Sequence, residues 1–83
     1  MPSIIKVKGS AANVTAADTV SDSKLVRVYA SANTLITVED PEANTTIGTF
    51  IMPGGSVEYV EKNPTDTITA NASVSCTPVS YNT

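Results

Sequence analysis

The sequence predicts an all-β fold: a small antiparallel β-sandwich or barrel of six to seven short strands. Three observations predict it. Short runs alternate apolar and polar residues with the two-residue period of a half-buried strand. The β-branched residues Val, Ile and Thr far outnumber Leu, which suits pleated sheet better than helix. Turn residues (Gly, Pro, Asn) punctuate the chain at spacings of roughly ten residues, as in sandwiches and barrels.

The elements follow in order. Ser3 to Lys8 alternates Ile5 and Val7 against Ile4, Lys6 and Lys8, and Gly9-Ser10 ends it. From Ala11 to Ser23 alternation is not sustained; this stretch reads as a loop carrying one short strand, with Val14 and Val20 its only large apolar side chains. Lys24 to Ala30 sets Val26, Val28 and Ala30 against Leu25, Arg27 and Tyr29, with the β-branched face inward. After a turn at Ser31-Ala32-Asn33, Thr34 to Glu39 continues with Ile36 and Val38 inward, and the two runs read as an antiparallel hairpin. Glu39 to Asn44 stops that strand, since Pro and Asx residues form turns.

Thr46 to Met52 is apolar on both faces, Ile47 and Ile51 on one and Phe50 and Met52 on the other, so one face must bury something besides the central core. Pro53-Gly54-Gly55 is the strongest turn signal and leads into Ser56 to Glu61, where Val57 and Tyr59 share a face, as a second hairpin. Lys62 to Asp66 turns the chain again, and Thr67 to Ala72 points Ile68, Ala70 and Ala72 inward. The last strand, Ser73 to Tyr81, starts with Val74 and Cys76 on one face and ends with Val79 and Tyr81 on the other. Pro78 between them marks a sheet edge or a bulge.

Composition bounds the function. Eighty-three residues make a single β domain, 1–83, within which 1–23 reads as an N-terminal strand or arm plus a flexible connection. A formal net charge of -3 supplies no cationic field for nucleic acid or anionic lipid. The absence of His removes imidazole catalysis and every triad built on it, and one Cys permits no internal disulfide. No run approaches the roughly 20 apolar residues of a membrane span, and the N-terminus lacks the apolar core of a signal peptide, so the expectation is a soluble chain made in a cytoplasm.

The candidate sites are few. Glu39, Asp40, Glu42 and Asn44 offer oxygen ligands without the spacing of a calcium loop, and a solvated turn accounts for them as well. The same carboxylates do not span a substrate cleft of the kind glycoside hydrolysis needs. Gly54-Gly55 lacks the helix or Lys-Ser/Thr of a phosphate cradle and reads as a turn. Tyr29, Phe50, Tyr59 and Tyr81 have the rings to stack sugars or bases, but aromatics on separate strands more often serve a core or a protein interface. Cys76, beside Val74 and without a basic neighbour, reads as a small buried hydrophobe. The Asn-X-Ser/Thr triplets at Asn13, Asn44 and Asn71 come with no secretory signal and are not read as sites. The expectation is therefore a protein that is not an enzyme, with no catalytic residue, metal or cofactor.

The segment from Thr46 to Ile68, with the run from Glu58-Tyr59-Val60-Glu61-Lys62 to Pro64-Thr65-Asp66-Thr67 its most distinctive part, is preceded by Val26-Arg27-Val28 and closed by Thr77-Pro78-Val79-Ser80-Tyr81. This pattern resembles small all-β virion proteins of tailed bacteriophages, notably those infecting marine cyanobacteria. The resemblance covers most of the chain after Leu25. It implies a capsid decoration or cement protein on the outer capsid surface, which binds and bridges subunits of the major capsid protein and contacts neighbouring copies of itself. A tail, neck or fibre-attachment component is the alternative within the virion, and a glycan-binding host-adhesion module the alternative outside that class. Candidate interface residues are Ile4, Ile5, Val7, Ile47, Phe50, Ile51, Met52 and Tyr59. The first strand, beyond its flexible connection, is also a candidate to pair with the sheet edge of a neighbouring subunit.

Overall fold

A computed structural model describes residues 5–81. They form eight antiparallel strands and no helix: β1 (Ile5–Val7), β2 (Ala12–Val14), β3 (Leu25–Ala30), β4 (Thr34–Asp40), β5 (Thr45–Met52), β6 (Ser56–Glu61), β7 (Thr67–Ala70) and β8 (Val74–Tyr81). One sheet runs β1-β8-β3-β6, with β2 also paired to β8, and the other runs β5-β4-β7. The all-β expectation holds, with eight strands in place of six or seven.

The inward faces meet in one core. Val26, Val28 and Ala30 of β3 and Val74 and Cys76 of β8 face Ile36 and Val38 of β4, Met52 of β5 and Ile68 and Ala70 of β7. Val14 and Val20, the two large apolar residues of the Ala11–Ser23 stretch, complete it. Their burial is what fastens that stretch to the sandwich.

Both expected hairpins are corrected. β3 pairs with β6 and β8, whereas β4 pairs with β5 and β7, so Ser31-Ala32-Asn33 carries the chain from one sheet to the other. Pro53-Gly54-Gly55 likewise crosses from β5 to β6. The two arches pack on each other: Gly55 N donates to Ala30 O at 2.7 Å and Gly54 N to Asn33 Oδ1 at 2.9 Å. A Cβ on Gly54 would lie 3.1 Å from Ala32 Cα, and Gly55 has φ +81°. These glycines therefore serve a close approach of two backbones as well as a bend. The hairpin is instead β4–β5, at the acidic turn, where Asp40 Oδ1 accepts the N–H groups of Glu42 and Ala43 and Asn44 takes φ 54°.

Pro78 lies in a central strand, contrary to an edge position. β1 pairs Val7 with Val79 and β2 pairs Ala12 with Cys76, so five steps of chain on one side face three on the other. The surplus chain lies opposite Pro78, whose carbonyl accepts from Lys8 N at 2.8 Å. N–H and C=O of one residue point to the same side of an antiparallel strand, so the missing N–H of Pro78 faces this break in the ladder. Gly9 sits there because a Cβ would come within 2.9 Å of the Pro78 ring. The Gly9-Ser10 turn and Pro78 are thus two sides of one irregularity.

Candidate functional site

The described residues present two open sheet faces. On the larger sheet, antiparallel register places Tyr29 opposite Val57 and Arg27 opposite Tyr59, with Ser75 and Thr77 of β8 on the other flank. Tyr29, Val57 and Tyr59 are each more than one-third exposed. The two tyrosines are diagonal neighbours on adjacent strands, which brings their rings within reach of one ligand or partner surface. On the smaller sheet, Leu35 stands opposite Ile51 and Thr37 opposite Thr49. Ile51 is 71% exposed.

The two-faced strand resolves into a core side and an open side. Met52 is fully buried and Phe50 packs half-buried against the core, so these two serve the sandwich itself and Met52 leaves the candidate surface. Ile51 takes the open side. Ile47 does not join it: the register slips between Val38 and Glu39, and Ile47 is the extra residue of that bulge. It lines a groove with Lys24, Glu61, Asn63 and Pro64. Val7 is exposed on β1, whose backbone pairs on one side with β8 of the same chain, Ile5 opposite Tyr81. Ile4 lies outside the described residues.

Sequence reasoning missed Lys62. It is buried at the end of β6, where Nζ donates to Ser23 O at 2.8 Å, Asn63 O at 3.3 Å and Pro64 O at 3.4 Å, while its backbone N–H donates to Lys24 O. Burial holds the amine below the ordinary lysine value, partly offset by the carboxylates of Asp66, Asp22 and Asp18. Asp66, also buried, accepts from Asn63 N through Oδ2 at 3.0 Å. Lys62 thereby ties the Lys62–Asp66 turn to the loop before β3. That loop has Val20, Ser21 and Asp22 at φ 53°, 59° and 53°, a left-handed turn held by Asp18 Oδ1 accepting from Val20 N and Thr19 Oγ1 accepting from Asp22 N. No signal in the local pattern separates this lysine from a solvated turn residue, because the shortest of its contacts is to a carbonyl distant in sequence, Ser23 O, and the other two are to the backbone of its own turn.

Cys76 is fully buried, and desolvation, assisted by the Asp18 carboxylate, pushes its thiol up to about 11. A neutral thiol in the core is a packing group, not a nucleophile. In the acidic turn, Asp40 spends its carboxylate on its own backbone and Glu39 accepts from Thr69 Oγ1 at 3.4 Å. Among the described residues no group of three His, Cys, Asp or Glu is placed to hold a metal ion. What the arrangement offers chemically is surface: aromatic and aliphatic side chains on rigid sheets, bordered by hydroxyls. No family model matches the chain, and no curated protein or solved structure matches it either.

Proposed function

We propose that this protein is a non-enzymatic binding module that works by surface contact, as a capsid decoration protein of a tailed bacteriophage on the outer surface of the head. The observation that carries the contact reading is the placement of Tyr29, Val57 and Tyr59 on one open sheet face and Leu35 and Ile51 on the other. Large apolar side chains held in register on opposite faces suit a small domain wedged between larger subunits. The virion assignment rests on the resemblance of Thr46 to Ile68 and its flanking motifs. A shell repeats one site many times, so a modest contact to each of several neighbours retains the module by effective concentration.

The test is reconstitution. Heads assembled without this protein are mixed with the purified chain, and bound copies per head are counted for wild type, Tyr59→Asp and Ile51→Asp. Saturation in large multiples, reduced by one or both substitutions, is expected for decoration. Binding of only a ring's worth of copies assigns the chain to the neck or tail, and no binding overturns the virion reading.

A glycan-binding adhesion module is the second reading, favoured by the shared open face of Tyr29 and Tyr59 beside Arg27. Glycan-array binding lost in Tyr29→Ala and Tyr59→Ala would establish it in place of decoration.

A further inference from the structure

The sheet edges differ in how they are closed. The outer side of β7 is covered by the chain's own backbone: Asp18 and Ile68 exchange N–H to O bonds at 3.1 and 2.8 Å, and Ala70 N donates to Thr15 O. β1 and β2 are three residues each, and β1 with the residue after it carries Lys6 and Lys8. β6 carries Glu58 and Glu61. Short strands and charges are the usual devices that keep an edge from pairing with another chain. β5 has neither. It is eight residues long, Thr-Thr-Ile-Gly-Thr-Phe-Ile-Met, without a charge or proline, and lies at the end of its sheet with β4 on one side only. Only its bulge at Ile47 interrupts it.

The backbone of β5 is set for pairing. Leu35 directs both backbone groups away from β5, its N–H to Asn71 Oδ1 at 2.9 Å and its C=O to Asn71 N at 3.2 Å. Directly opposed residues of an antiparallel ladder either exchange both bonds or both point away. Ile51, opposite Leu35, therefore aims its N–H and C=O at the open edge, and by two-residue alternation so does Thr49.

We infer that β5 is a homodimerisation edge: two copies pair their β5 strands antiparallel about a two-fold axis at Thr49, making one six-stranded sheet. The register follows from self-complementarity. With Thr49 opposite its own counterpart, Ile51 comes level with the bulged Ile47 of the second copy without sharing its face, and Phe50 meets Gly48, where the space on the side a Cβ would occupy is open. The ladder ends before Pro53 on both sides. The acidic turn of each copy then lies toward the uncharged Pro53-Gly54-Gly55 arch of the other, so two chains of net charge -3 meet with no carboxylate opposite a carboxylate along the ladder. A second copy fits this edge because each strand supplies the uncharged, apolar-and-small pattern the other needs. The inference stands apart from the virion reading and does not depend on it.

Sedimentation velocity of the full chain from about 1 µM to about 1 mM tests it, since dimerisation follows mass action. A reversible monomer–dimer equilibrium is expected, with amide hydrogen exchange at Thr49 and Ile51 slowing as dimer accumulates. Thr49→Lys and Thr49→Glu place like charges against each other at the axis, and each alone should weaken association by about tenfold or more. Thr49 is exposed, and thermal melts identify any variant that fails to fold. An equimolar mixture of the two variants should restore dimers, because only a residue on the axis meets its own counterpart. A monomer at every concentration, a dimer without protection at Thr49 and Ile51, or variants that are folded and dissociated yet not rescued by mixing would each overturn the proposal.

Discussion

Cys76 makes a prediction with a worked magnitude and sign. Its thiol rises from 9.0 to about 11 in the folded chain because burial disfavours the thiolate and Asp18 adds a like charge. In the unfolded chain the thiol ionises first, so from pH 9 upward the native state binds more protons than the unfolded state and stability falls with pH. Two pKa units correspond to about 2.7 kcal/mol, lost progressively between pH 9 and 11. Cys76→Ala removes this titration and costs about 1 kcal/mol at neutral pH, the scale for one buried heavy atom. Wild type should therefore be the more stable protein at pH 7.5 and the less stable at pH 11. Urea unfolding followed by far-UV circular dichroism, at pH 7.5, 9, 10 and 11, reads the crossing. If the variant declines in parallel with wild type through that window, the burial argument for this thiol is refuted.

Further predictions concern packing and the buried lysine. Ile36→Ala, at a fully buried site, should cost about 2–5 kcal/mol, while Ile51→Ala on the open face should stay within about 0.5 kcal/mol; denaturant midpoints separate them. Gly54→Ala forces the two arches apart and should destabilise by about 1–3 kcal/mol, whereas Gly48→Ala meets open space and should be tolerated. Lys62→Met leaves the carbonyls of Ser23, Asn63 and Pro64 without their common donor and should cost about 1–3 kcal/mol. Because burial lowers the Lys62 pKa, the unfolded chain holds that proton more firmly, and stability from this group rises with pH in the window just below 10.5. Comparing the pH dependence of unfolding with Lys62→Met isolates it, since the variant lacks that rise.

Strand existence and facing were legible in the sequence, because a two-residue period in Val26-Val28-Ala30, Ile36-Val38 and Ile68-Ala70 leaves a single inward face. Connectivity was not. A three-residue Gly- or Asn-containing segment serves equally well as a hairpin turn and as an arch between sheets, and the difference at Pro53-Gly54-Gly55 lies in contacts to Ala30 and Asn33, over twenty residues away. The Ile47 bulge hides for the same reason: sequence alternation puts Ile47 with Ile51, and only pairing with β4 shows the slip. Pro78 was correctly marked as an irregularity, but its central position depends on β1 and β2 sharing β8. Of the candidate surface, the sequence named Ile51 and Tyr59 but left open which face of Thr46 to Met52 looks outward, which only the burial of Met52 decides, and Lys62 needed the loop at Ser23 to be placed beside it.

Cryo-electron microscopy of phage heads assembled in the presence of this protein tests the proposed capsid role most directly. The account predicts density of this size distributed over the shell at capsid symmetry, with the Tyr29–Tyr59 or Leu35–Ile51 face seated on capsid subunits. Density confined to neck or tail, or its absence from the particle, would contradict it.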